Sequence, residues 1–325
     1  MMFKKIKKYF TIKAFKHGFK ILTGAFNGFL DDKGLKLSAS LAYYTVFSLA
    51  PLLLLLLSIV GLILGKDAAS NNKIFNGING MVGDQAAAQI QSMIKSAELS
   101  GKTTSAAVIG GITLLFGATS VFAEIQDSIN MIWKVKAKPK RGWLKLVQDR
   151  LLSSSLIVGL GFLLIVSLVV NGMVEALSGI LTRFLPDITV IFINIINIVI
   201  SFIVITVLFG VIFKVLPDVK IGWKDVRSGA LFTAVLFMIG RFLIGIYIST
   251  TGTGSAYGAA GSLIVILVWV YYTAAILYFG AEFTQSYAEY YGIKIAPAEY
   301  AVHVQQTEVE KDVAVLPPQG NVEKK

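Results

Sequence analysis

The sequence predicts an all-α, polytopic membrane protein with six transmembrane helices plus amphipathic interfacial helices. Three observations carry that expectation. Six apolar stretches, 37–64, 104–122, 151–177, 188–213, 228–249 and 259–279, are each long enough to span a bilayer, because a helix rises about 1.5 Å per residue and about 20 apolar residues match the hydrocarbon core. Hydrophobic residues make up 55% of the chain, charged residues 15%, and the mean hydropathy is +0.71, values far from those of an ordinary soluble domain. Lysine and arginine also collect on one side: twenty-four lie in the N-terminal arm, the segments after the second and fourth spans and the tail, against five in the opposite segments, with Arg241 inside a span. Cytoplasmic segments carry such an excess, so both termini are expected in the cytoplasm of a bacterial inner membrane.

The formal net charge of +11 follows from that distribution, and anionic lipid headgroups are its expected partners. No nucleic acid is expected, and a homo-oligomer is compatible with the sequence. The chain has no cysteine, which excludes disulfides and thiolate chemistry. A cleavable leader is not expected, because the first apolar span begins only near Leu37 after a long basic segment.

Residues 1–36 form a basic arm in which lysines alternate with Phe3, Ile6, Phe10, Phe15, Phe19, Leu22, Phe26 and Phe29. Three- and four-residue spacing predicts an amphipathic helix with these side chains on one side, lying along the cytoplasmic interface. Residues 37–284 form the six-helix domain. Its first connection, 65–103, is too long for a tight turn; Ala87, Ile90, Met93, Ile94 and Ala97 recur at helical spacing after Asp84, which predicts an amphipathic helix on the outer surface. Residues 285–325 turn polar and proline-bearing, and read as a cytoplasmic, largely disordered tail.

Inside the spans, irregularities and polar groups mark candidate functional positions, since lipid satisfies no backbone or polar group. Pro51 predicts a kink in the first span, whose preceding half carries Ser38, Ser40, Tyr43, Tyr44, Thr45 and Ser48. That polar, small surface suits either helix packing or the lining of a pathway. Before the sixth span, Gly252, Gly254 and Gly258 surround Tyr257 in a segment suited to tight turns, with Gly254 and Gly258 as hinge candidates. Arg241 lies deep in the fifth span, where a central arginine costs roughly 2.5–3.5 kcal/mol on insertion scales. An ion pair with Glu124, Glu175 or Glu282, an anionic substrate, or snorkelling would compensate. Glu124 and Glu282 occupy similar Ala-Glu settings near the cytoplasmic boundary, suited to proton relay or to interfacial solvation.

Several stretches together resemble the YihY/virulence factor BrkB family, whose older members carry the label ribonuclease BN. They are Ser38-Ala39-Ser40-Leu41-Ala42-Tyr43-Tyr44-Thr45 running to Pro51, Asn130-Met131-Ile132-Trp133, Leu216-Pro217 with Trp223-Lys224-Asp225, Arg241 with Tyr247, Tyr257-Gly258-Ala259, Trp269-Val270-Tyr271 and Gly280-Ala281-Glu282. The resemblance covers residues 35–290. It implies a six-helix inner-membrane protein with cytoplasmic termini, and a group of transporters or export factors without an agreed substrate.

The functional expectation is a transporter or flippase-like facilitator of an anionic or amphipathic molecule. Its candidate pathway residues are Arg241, Glu282, Glu124, Tyr43, Tyr44, Ser48 and Tyr257. A non-transporting scaffold of envelope biogenesis is the alternative. The ribonuclease of the older label fits less well: His17 and His303 are the only histidines, both lie outside the helical core, and no carboxylates have metal-ligand spacing. No enzyme activity, metal or cofactor is therefore expected.

Overall fold

The computed structural model describes residues 12–48, 104–138, 151, 186–251 and 261–305. The third span beyond Leu151, the second half of the first, the 65–103 connection, Pro51, Tyr257, Gly254, Gly258, Glu175 and residues 306–325 lie outside the described residues. Helix α1 (Ile12–Asp31) is followed by α2 (34–48), α3 (Thr104–Ile132), strand β1 (Val135–Ala137), α4 (Pro186–Val215), β2 (Val219–Lys220), α5 (Trp223–Thr251), α6 (Gly261–Tyr290), β3 (Ala296–Pro297) and β4 (Ala301–His303). Among the described residues three helices are long and apolar enough to cross a membrane, within Ile198–Val215, Trp223–Ile244 and Ile264–Tyr290.

The ends of these helices are set by local chemistry. Lys33 adopts a left-handed backbone, φ 57°, so α1 stops there and α2 starts at once. Lys134, φ 54°, closes α3 with its amide donating to the Met131 carbonyl. At the end of α6, Gly292 at φ 67° allows the Gly292 amide to reach Glu289 O and the Ile293 amide to reach Ala288 O, which satisfies two of the last carbonyls. Asp225 in the first turn of α5 reaches back to accept from the Gly222 amide at 3.2 Å, and its charge suits the positive helix N-terminus.

Helix α6 is the centre of the assembly. Helices α5 and α6 run antiparallel through a reciprocal contact: Thr284 sits against Gly229, and Thr233 sits against Gly280, where a Cβ on either glycine would overlap the facing threonine. Each threonine hydroxyl donates at 2.7 Å to the carbonyl of the glycine four residues before it, so neither leaves a polar group unpaired. Small residues thus bring the backbones together, as membrane helices without a hydrophobic driving force require. Phe232 stacks on Phe283 at 3.8 Å between ring centroids beside this contact. Helix α4 packs on α5, with Gly210 against Ala230 and Phe209 edge-on to Phe237.

Helix α1 also runs antiparallel to α6. Gly24 faces Ser286, Gly28 faces the Glu282 carboxyl, and Phe29 meets Phe279 edge-on at 5.8 Å. The arm's expected one-sided apolar face is therefore split. Ile21, Ala25 and Phe29, four residues apart, are buried, whereas Phe19, Leu22, Phe26 and Leu30 are exposed. The physical reason is the approach of Gly24 and Gly28 to α6, which turns the arm so that its small residues face protein.

Two helices outlast the apolar runs that predict them. Helices α3 and α6 continue well past 122 and 279, to Ile132 and Tyr290, because their last turns are buried by protein: Ile125, Ile129, Ile132, Tyr278, Ala281 and Ala288 are all in the core. The tail expected to be disordered is ordered through residue 305. Strand β4 pairs antiparallel with β1 (Val135 with His303, Ala137 with Ala301), and β3 pairs with β2 (Val219 with Pro297). These ribbons join the ends of α3, α4 and α6 at one end of the bundle, the ribbon end. Helix α5 begins there, with Trp223, and runs the other way.

Candidate functional site

Two buried carboxylates lie at the ribbon end. The first, Asp218, follows Leu216-Pro217 in the turn after α4 and is 3% exposed. Its Oδ1 accepts from Gln126 Nε2 at 3.2 Å and Tyr300 Oη at 3.1 Å, and its Oδ2 accepts from Asn130 Nδ2 at 2.9 Å. The Asp218 amide donates to Asn130 Oδ1 at 2.8 Å, and its carbonyl accepts from the Ala298 amide. Helix α3, the α4–α5 turn and the C-terminal segment thus meet at one carboxylate. A buried charge given several donors is held in place by them.

The second is Glu282 on α6, also 3% exposed. Its Oε2 lies 2.5 Å from where a Gly28 Cβ would stand, so a larger residue on α1 would make the end of the Glu282 side chain shift. Its Oε1 is buried and has no hydrogen-bond partner. The Asp32 carboxyl at the end of α1 faces it at hydrogen-bonding range, Lys134 lies close by, and Glu289 is further along α6. Asp32 itself is paired with the Lys134 ammonium. One partly exposed ammonium therefore serves two carboxyls, of which Glu282 is buried. Leaving a buried acceptor unmatched costs about 1–3 kcal/mol, and more if it is charged, which marks this cluster as the candidate site.

The cluster is braced from both sides. Trp133 Nε1 donates at 3.1 Å to the Ala281 carbonyl, fixing the end of α3 and hence Lys134 beside α6. On α1, His17 is hydrogen-bonded to the Tyr290 hydroxyl, and Lys20 lies 5.7 Å from the centroid of that ring. Beyond Glu282, Gln285 donates to Glu289 at 3.2 Å, while its own Oε1 is buried without a partner. A cleft of about 200 Å³ opens next to them, lined by Trp133, Gln285, Glu289, Pro297 and His303. On the β2–β3 ribbon side, Lys220 Nζ donates to exposed Glu299 at 2.9 Å and holds that carboxyl below the usual carboxylate range.

The other expected positions do not gather there. Ser48 is buried and shares a 2.5 Å hydrogen bond with Ser120 of α3, a helix-packing contact. Tyr43 and Tyr44 are exposed and meet edge-on. Glu124 is half-buried on α3, within electrostatic reach of the buried Tyr278. Arg241 is exposed on α5 and has no ion-pair partner among the described residues. Its neighbour Gly240 abuts Tyr272, ten residues before Glu282 on α6 and hence roughly 15 Å away along the helix. Arg241 and Glu282 occupy different depths.

Sequence reasoning selected Glu282 but missed Asp32, Lys134 and the Asp218 group. Lys134 was counted only as a topological charge. Asn130, Pro217 and Glu282 do belong to stretches that carry the family resemblance.

A family model described as virulence factor BrkB matches residues 25–302. The chain belongs to the virulence factor BrkB family. The matched region contains Gly28, Asp32, Lys134, Asp218 and Glu282, and reaches into β4, so the paired C-terminal segment lies within the family region. Among its relatives, a UPF0761 membrane protein of Alkalilimnicola ehrlichii is 27% identical over 277 residues, 81% of this chain and 57% of that protein. One from Tolumonas auensis is 28% identical over 204 residues, 58% of this chain and 59% of its own length. A third, from Vibrio vulnificus, is 26% identical over 285 residues, 84% of each chain. The chain thus spans under two thirds of the first two relatives. No solved structure matches it. With three apolar helices among its described residues, this BrkB-family chain is a membrane protein.

Proposed function

We propose that this BrkB-family chain is an inner-membrane transporter or flippase-like facilitator of an anionic or amphipathic molecule, and not an enzyme. The observation that carries the reading is Arg241. Its guanidinium is exposed among the exposed apolar side chains of Ile239, Phe242, Leu243 and Ile246, without an ion-pair partner among the described residues. Ionisable residues at membrane depth mark substrate or ion pathways. A guanidinium beside an apolar strip suits a molecule with an anionic head and a hydrocarbon body. In this reading the ribbon end, with Lys134, Lys136, Lys138, Lys214, Lys220 and Lys224, faces the cytoplasm. The exposed Phe19, Leu22, Phe26 and Leu30 of α1, accompanied by Lys16 and Lys20, rest on anionic headgroups.

The test is purified protein in proteoliposomes, offered fluorescent anionic phospholipids and labelled organic anions. Movement across the bilayer is expected, and Arg241→Ala is expected to lower its initial rate about ten-fold or more while leaving membrane insertion intact. Full-rate movement by that variant would remove Arg241 from the pathway. Failure to move any of these molecules, alongside crosslinking to fixed membrane partners, would favour a scaffold.

A further inference from the structure

The Glu282 cluster has a charge imbalance that packing alone does not account for. Its polar groups come from three segments: Asp32 at the end of α1, Lys134 in the turn after α3, and Glu282 with Glu289 on α6. With Asp32 and Glu282 both ionised, two facing carboxylates share one ammonium. Glu282 Oε1 then lies buried with nothing to accept from. A metal ion suits the place poorly, since hard cations take six or more oxygen ligands. Among the described residues no group of three or more metal-ligating side chains exists, and the ammonium repels a second cation. A proton fits. It removes one negative charge and lets one carboxyl donate to the other.

The packing gives that proton a mechanical consequence. Helix α1 reaches α6 at this level through Gly28, whose backbone rests on the Glu282 carboxyl. Protonated, the Asp32–Glu282 pair joins the end of α1 to α6. Deprotonated, it pushes them apart. We propose that Glu282 is a proton-binding site whose occupancy holds α1 on α6. Only the use made of the proton, as a coupling ion, rests on the transport reading. Docking and release of α1 are properties of the chain alone.

The lack of cysteine makes the test direct. A Cβ on Gly24 would stand 3.7 Å from the Ser286 Cβ, within the range a disulfide spans. The double variant Gly24→Cys/Ser286→Cys is oxidised in detergent from mildly acidic to alkaline pH, without any solute. Thiolate formation alone speeds oxidation as pH rises, so the quantity read is the rate relative to the same pair carrying Glu282→Gln, whose neutral amide stands in for the protonated carboxyl. That ratio is expected to fall by roughly five-fold or more as pH rises. A ratio constant with pH, or no crosslink at any pH, would overturn the proposal. A second measurement needs no cysteine: the infrared carbonyl band of a protonated carboxylic acid is expected in the wild-type chain, lost on raising pH and absent from Glu282→Gln. Identical spectra for the two chains at every pH would also overturn it. Both readings are independent of transport, so a failed flux assay and a failed proton site remain distinguishable.

Discussion

Asp218 and Glu282 are buried to the same degree, a few turns of chain from the same ribbons, yet their surroundings differ. Asp218 receives donors from Gln126, Asn130 and Tyr300, whereas Glu282 keeps a bare oxygen and faces another carboxyl. Burial is therefore not what separates an architectural carboxylate from a working one; the supply of donors is. A fully matched charge holds one arrangement of the chain, while an unmatched one leaves room for a second state.

The sharpest way to break this contrast is to remove each carboxylate. Asp218→Ala leaves the Gln126, Asn130 and Tyr300 donors without their common acceptor, and is expected to cost about 3–5 kcal/mol. Thermal unfolding in detergent and the yield of folded protein would measure it. A near-normal melting point would mean that Asp218 is not the tie between α3 and the C-terminal segment.

Next in size is Gly28→Ala, which places a methyl group against the Glu282 carboxyl. A loss of about 1 kcal/mol is expected, because the end of the Glu282 side chain has to shift, and most of it is recovered by adding Glu282→Ala. Additive effects in that double-mutant cycle would show that the two residues do not touch. Glu282→Gln alone is expected to change stability by less than about 1 kcal/mol in either direction, since the amide can donate where the carboxylate could not. A loss as large as that of Asp218→Ala would erase the distinction between the two sites.

The smallest effect belongs to Glu299. Its carboxyl titrates below the usual range because Lys220 donates to it, so its stabilising contribution is present above the unfolded carboxylate value and fades as pH falls through the lower folded one. The pair is exposed, and Glu299→Gln is expected to leave the melting temperature unchanged at neutral pH.

Much of this was legible in the sequence, and the remainder was hidden for physical reasons. Helices α3, α4, α5 and α6 fall where runs of apolar residues put them, because a long apolar helix needs only itself and a bilayer. Residues 296–303 read as a polar tail because their order comes from partners distant in sequence, Val135–Ala137 and Val219–Lys220, which no local pattern reveals. Glu282 stood out as an ionisable residue beside an apolar span. Its partners Asp32 and Lys134 did not, since one ends the basic arm and the other is one lysine among many. The apolar run ends at 279, yet α6 continues to Tyr290, because protein packing buries Ala281, Glu282, Thr284 and Ala288 in that extension.

The paired threonines and glycines of α5 and α6 carry a consequence for motion. Sliding one helix along the other by a single turn in one direction would set Thr284 against Thr233 and leave Gly280 facing the bulk of Phe237, so the seam resists that movement. A change of shape that required this slide would fall instead to the elements leaning on the pair, of which α1 is the one whose grip includes an ionisable clasp.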